Sequence, residues 1–267
     1  MLVLLAPGFD GSDKAYQALA RATGLVPYDL RTRVKPGTWG LIRGFADAGQ
    51  ANELASKVIA AGFSVIVVDR QILNDPERRH VPVHGMLLGE SDFVLKLKDR
   101  EMKIPYGALA CIVEGEVQPG RVAGAAPPGA ASSGSMRAVS PVGEDLQPFR
   151  EAAPAPPIGF LAADLHFSTV LWIARIDART FDFGPARTGN VATDLANLTN
   201  LLAQKGNVRV DRNVRTSSVA SHAEQPVSLR GASWPPVTQR SREAVDARFD
   251  AYSRVLGEAE RLARRAG

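Results

Sequence analysis

Cysteine is almost missing from this chain. Cys111 is the single one in 267 residues, which excludes an intramolecular disulfide and every metal site built from several thiolates. Aromatic residues make up only 6% and histidine occurs four times. No P-loop, G-x-G-x-x-G or G-x-S-x-G is present, so nucleotide cradles and the hydrolase nucleophile turn lose their sequence signatures. Nothing approaches the roughly 20 apolar residues that cross a bilayer. The apolar start at 2–5 has no basic flank, so neither a signal peptide nor a transmembrane segment is expected, and the expected location is cytoplasmic. His80 and His84 are four apart, but Pro82 between them and a strand-like context keep them off one helix face. Asp164 and His166 alternate on a strand and are expected to share its solvent face, with no nucleophile motif beside them. The expectation is a protein that is not an enzyme and carries no metal or cofactor.

What is present speaks mainly of architecture. Net charge is +4 with a pI near 9.4, but the arginines are dispersed among acids, a mild bias rather than a nucleic-acid footprint. Residues 2–5 read as a strand closed by Pro7-Gly8. Ser12 or Asp10 caps a helix to about Ala22, stopped by Gly24, and a short helix covers 28–34. Ala51, Leu54, Ala55, Val58 and Ile59 form an amphipathic stripe beginning near Asp47. Gly62 ends that helix and 63–68 form a strand, giving an α+β module over 1–70. The segment Ala22-Thr23-Gly24-Leu25, followed by Asp29-Leu30 and a helix with a Gly before the last strand, resembles the C-terminal domain of the bacterial ribosomal stalk protein. The element order is also similar to the Clp-protease adaptor fold. The resemblance covers about a quarter of the chain and implies a small protein-interaction or packing module. The stalk family's run of lysines is missing, so factor docking does not carry over.

Residues 71–79 read as a linker. The stretch 93–117 is a hairpin followed by a buried strand: Phe93, Leu95 and Leu97 alternate with Lys96 and Lys98, and Asp99-Arg100-Glu101 makes the turn. Cys111 lies in the apolar run that follows and is expected to be a buried small hydrophobe. Residues 120–157 are almost entirely Gly, Ala, Pro and Ser, a disordered loop or linker by composition. They either separate two domains or interrupt one. Each flank alone would leave an uncovered half-sheet with bare edges, which favours interruption of one β domain over 79–206. Strands follow at 161–167, 171–176 and 181–183. A helix capped by Thr188 or Asn190 then runs to Gln204, with Leu195, Leu198, Leu201 and Leu202 on its buried stripe. About seven strands and a closing helix resemble the pleckstrin-homology-like fold, and Ile104-Pro105-Tyr106 is similar to a strand motif of its bacterial members. That resemblance implies an antiparallel β domain.

Residues 207–239 read as an extended arm and 240–265 as a terminal helix. Its stripe, Val245, Phe249, Tyr252, Leu256, Ala259 and Ala263, has heptad-type spacing. It either docks on its own chain, the favoured reading, or pairs with a second copy as a homodimer. The candidate binding residues are the hairpin cations Lys96, Lys98, Arg100 and Lys103, the arm's Trp234, and Phe249, Tyr252 and Leu256 on the helix. The function expected is that of a scaffold or adaptor binding another protein. The alternative is a nucleic-acid or anionic-lipid surface bound by the basic hairpin and the Arg-rich tail.

Overall fold

Strand β1 (Leu2–Leu5) is buried at all four positions because both of its faces are covered. Val3 and Leu5 pack toward three helices, while Leu2 and Leu4 join a second core on the opposite side. The structure, a computed structural model, describes residues 1–117, 159–214 and 247–266. In chain order β1 is followed by α1 (Asp13–Thr23), α2 (Pro27–Arg33), β2 (Gly40–Gly44), α3 (Ala48–Ala60) and β3 (Val65–Val68). β1 lies between β2 and β3, antiparallel to both. Local signals set the helix ends. The Ser12 hydroxyl accepts from the Ala15 amide at the start of α1, and Gly24 closes it in the left-handed region at φ 68°. Asp47 accepts from the Gln50 amide at the start of α3.

Three expectations fail in this part. The sequence pattern places no strand between the short helix and the helix from Asp47, yet 40–44 is strand β2; Leu41 and Ile42 are buried on opposite faces, so no alternation marks them. Ile59 was placed on the buried stripe of α3 and is exposed, while Ala51, Leu54, Ala55 and Val58 are buried. The expected linker at 71–79 is instead ordered as two short 3-10 turns, Arg70–Asn74 and Pro76–Arg78. Asp69 and Asp75 cap them, and Ile72 is buried.

The second half of the chain contributes β4 (His80–Val83), β5 (Gly85–Leu88), β6 (Asp92–Lys96), β7 (Glu101–Pro105), β8 (Leu109–Val117), β9 (Phe160–Phe167), β10 (Ile173–Asp177), α4 (Val191–Gly206), β11 (Val210–Asp211) and α5 (Ala247–Ala266). β5, β6 and β7 form a three-stranded antiparallel sheet. The five-stranded sheet has the order β11-β8-β9-β10-β4. β8 and β9 pair antiparallel with Val117 opposite Phe160, so the chain leaves and re-enters one sheet around residues 118–158. The chain is α+β, as expected. The sheet is not wholly antiparallel, however: β4 runs parallel to β10 and β11 parallel to β8. Parallel pairing needs long connections between partners, and here β4 and β10 are separated by the whole hairpin sheet and β8–β9. Residues 181–183 make a single bridge, Asp182 with Gly85, rather than a strand. On α4, capped by Asn190, Leu195 and Leu202 are buried but Leu201 is exposed.

Helix α5 lies between the two halves. Phe249, Tyr252, Val255, Leu256 and Ala259 share one core with Leu2, Leu4, Trp39, Leu41 and Val68 of the N-terminal sheet. Cys111, Val113, Val117 and Ala162 of the five-stranded sheet belong to the same core. Burying an apolar face against two partners at once is what fixes such a helix. Replacing Leu256 with Ala is expected to lower the unfolding free energy by about 3 kcal/mol in a urea melt, while Arg265→Ala, on an exposed turn of the same helix, leaves the midpoint unchanged.

Candidate functional site

The densest group of chemically capable side chains lies where β9 and β10 face α5. Alternation along β9 sends Ala163, Leu165 and Phe167 into the core beneath the sheet, and Asp164 and His166 toward the helix. Arg175 on β10 donates to both oxygens of Asp164, each at 2.7 Å, and to Oδ1 of Asp250 at 2.7 Å. Its guanidinium also lies 5.1 Å from the centre of the Phe249 ring. The Ser253 hydroxyl donates to Oδ2 of Asp164 at 2.6 Å, and Nε2 of His166 stands 2.8 Å from Ser253 Oγ. His80 on β4 brings Nε2 to 3.3 Å from Asp164 Oδ2. Gly257 makes the close approach possible, since a Cβ there would fall inside the His166 ring. Asp164 and His166 were expected on a solvent face. They are buried because the polar stripe of α5 supplies partners that water would otherwise provide.

Serine, histidine and aspartate in contact invite a hydrolytic reading, but the proton route is wrong for one. In a nucleophilic serine the hydroxyl gives its proton to the imidazole. Here the Ser253 proton points to Asp164, so the network assigns the His166 proton to Nε2, where it donates to Ser253 Oγ. Burial pushes the His166 imidazole down to about 4, against the opposing pull of Asp164. Burial alone would raise the Asp164 carboxyl, yet Arg175 and His80 beside it hold it well below the ordinary carboxylate range. Ser253 has no exposed surface. The cluster is a largely buried clamp in which Arg175 pairs with two carboxylates and Ser253 and His166 are hydrogen-bonded, the arrangement a buried charge requires, while His80 Nε2 beside it makes no hydrogen bond among the described residues. Further polar contacts continue along the helix: Tyr252 to Asp211 at 2.7 Å, Arg78 to Glu258 at 2.7 Å and Trp39 Nε1 to Glu260 at 2.8 Å. None of these partners was legible from local pattern. Cys111 is buried as expected, and burial pushes its thiol well above the usual range, away from nucleophilic use. Among the described residues no group of three His, Cys, Asp or Glu side chains stands where it could hold a metal ion.

An open cavity lies elsewhere, between α1 and α3. It encloses about 500 Å3 over Ala22, Thr23 and Leu54, with Arg21, Arg43 and Lys57 at its rim. It continues into a shallower trough along Ala18, Ala60 and Ala61, with Arg21, Ala22 and Lys57 shared between the two. Glu53 holds Lys57 at 2.7 Å. Arg43 leans 6.0 Å from the Phe45 ring centre, and neither Arg21 nor Arg43 pairs with a carboxylate among the described residues. Sequence reasoning missed this groove because Arg43 belongs to the unexpected strand β2. The one signal available was the small-residue face of α1 and α3, Ala18, Ala22 and Ala60.

The residues singled out from the sequence are scattered. Lys96 and Lys103 lie on the outer face of the β6–β7 hairpin, but in register with Asp92 and Glu101: Lys96 is opposite Glu101, and Lys103 reaches Asp92 at 3.1 Å. Lys98 and Arg100 are exposed at its turn. Phe249, Tyr252 and Leu256 are buried inside their own chain and offer no binding surface; the helix spends its apolar stripe on docking. Trp234 lies outside the described residues. No family model, no curated protein and no solved structure matches this chain.

Two outcomes follow from the clamp. A fluorophosphonate serine-hydrolase probe is expected to leave Ser253 unlabelled in peptide-mapped mass spectra. The depressed His166 value means that the unfolded chain takes up its proton first as pH falls. The contribution is therefore fully present above about 6.5 and is lost as pH drops toward 4, costing at most about 3 kcal/mol. Denaturant midpoints of His166→Gln, measured from pH 7 to 4, should fall less steeply than those of the wild type.

Proposed function

We propose that this chain is a non-catalytic protein-interaction protein, an adaptor or scaffold, whose recognition surface is the groove between α1 and α3. The observation that carries the reading is the contrast between the two polar sites. The chemically rich cluster at α5 is sealed, with its serine proton, imidazole and guanidinium all committed. The groove is open and carries two arginines without carboxylate partners among the described residues, beside Ala22 and Leu54. Arginine beside apolar surface is the composition that concentrates binding energy at interfaces. The stalk-like segment Ala22-Thr23-Gly24 lines this groove, which agrees with an interaction role for the N-terminal module. No helix among the described residues is long and apolar enough to cross a membrane.

Nucleic acid or an anionic lipid surface is a weaker fit. The hairpin lysines share their face with Asp92 and Glu101, so the face presents no concentrated field of one sign. The two readings separate in one comparison. A tagged full-length chain is used for quantitative capture from the source cell, next to Arg21→Glu/Arg43→Glu and Lys98→Glu/Arg100→Glu. The groove variant is expected to lose the recovered protein partner at least tenfold, with the hairpin variant unchanged. Loss with the hairpin variant alone, together with steep salt dependence and recovery of nucleic acid or lipid, would reject it.

A further inference from the structure

Resting on the reading of the groove as the recognition surface, we propose that its occupant is a short acidic segment of a partner protein. The segment is extended, about five residues long, and carries at least two carboxylates beside one aliphatic side chain.

The groove's length sets the size. Along α3 it is lined from Gln50 to Ala61, and at 1.5 Å rise per residue this spans roughly 16 Å. An extended chain covers that in about five residues at 3.3 Å each. The charge sets the composition. Of the three cations at the rim, Lys57 is compensated by Glu53, leaving Arg21 and Arg43 to attract anions. A guanidinium presents a planar fork that matches a carboxylate with two parallel hydrogen bonds, and two such forks call for two acidic side chains. The far end sets the anchor. Ala18, Ala60 and Ala61 form the apolar slot of this shallow trough, which accepts a branched aliphatic side chain, while its cations, Arg21 and Lys57, are those shared with the main cavity. Nucleic acid is disfavoured here, because bases need exposed aromatic platforms to stack on and the only ring in the lining, Phe45, is half-buried beside Arg43.

The test is selection from a random octapeptide display library on the immobilised full chain, run in parallel on Arg21→Glu/Arg43→Glu. Peptides enriched on the wild type are expected to hold two or more Asp or Glu within three residues of Leu, Ile, Val or Met. The strongest of them, synthesised and labelled, should bind the charge-reversed variant at least tenfold more weakly by fluorescence anisotropy. Ala60→Trp fills the apolar slot without changing charge and lies on an exposed position; it should weaken the same peptide about fivefold, and circular dichroism melts of both variants verify the fold. Enrichment of basic or neutral peptides, or no enrichment over bare support, overturns the acidic-segment proposal. Acidic peptides that bind all three proteins equally overturn the groove as their site, yet leave the interaction reading standing, since that reading is decided by the capture comparison.

Discussion

The fold depends on one contact, the seating of α5 between two sheets that have no other large common surface. Its apolar residues complete the core on both sides, and hydrophobic burial supplies the driving force. Such burial is not directional, however. The Asp164–Arg175–Asp250 ion pairs and the Ser253–His166 hydrogen bond fix the rotation and register of the helix, because a slip of one residue would strand an ionised carboxylate in the interior. Gly257 adds a steric condition, since only the absence of a side chain there admits the His166 ring.

The same residues show why proximity of catalytic residue types does not define a catalytic site. Ser253 stands within hydrogen-bond distance of both His166 and Asp164, the residue types of a triad. Donor direction, burial and the pull of Arg175 reassign every member. The aspartate accepts the serine's hydrogen bond, the imidazole is kept neutral by desolvation, and the hydroxyl serves as a bridge between strand and helix. The α1–α3 groove differs in that Arg21 and Arg43 at its rim have no carboxylate partner among the described residues.

What could be read from the sequence was local. Ser12, Asp47, Asn190 and Gly24 cap or close their helices as their positions imply, because capping is settled within a few residues. The hairpin at β6–β7 and the burial of Cys111 were equally legible. β2 escaped because a strand buried on both faces loses the period of two. The clamp escaped because its strand and helix members stand 75 to 89 positions apart, and no periodicity reports such pairing. A hint did exist in α5: the heptad stripe gives one apolar face, while Ser253 and Gly257, both small and four apart, mark a notch on a neighbouring face where another backbone could approach. The polar alternation of Asp164 and His166 was its complement, and read alone it pointed to solvent.

The core that α5 completes joins Leu2 and Leu4 to Phe249, Tyr252 and Leu256, residues nearly 250 positions apart. During synthesis at about 5–20 residues per second, the inner faces of β1, β2 and β8 stay uncovered until the last 20 residues of this sequence have emerged. Leu4, Leu41, Cys111 and Val113 are then exposed apolar surface on a growing chain. Contacts of such long range also close slowly, since their loop entropy is lost before any burial compensates it. This core therefore closes only after residues 247–266 have been synthesised.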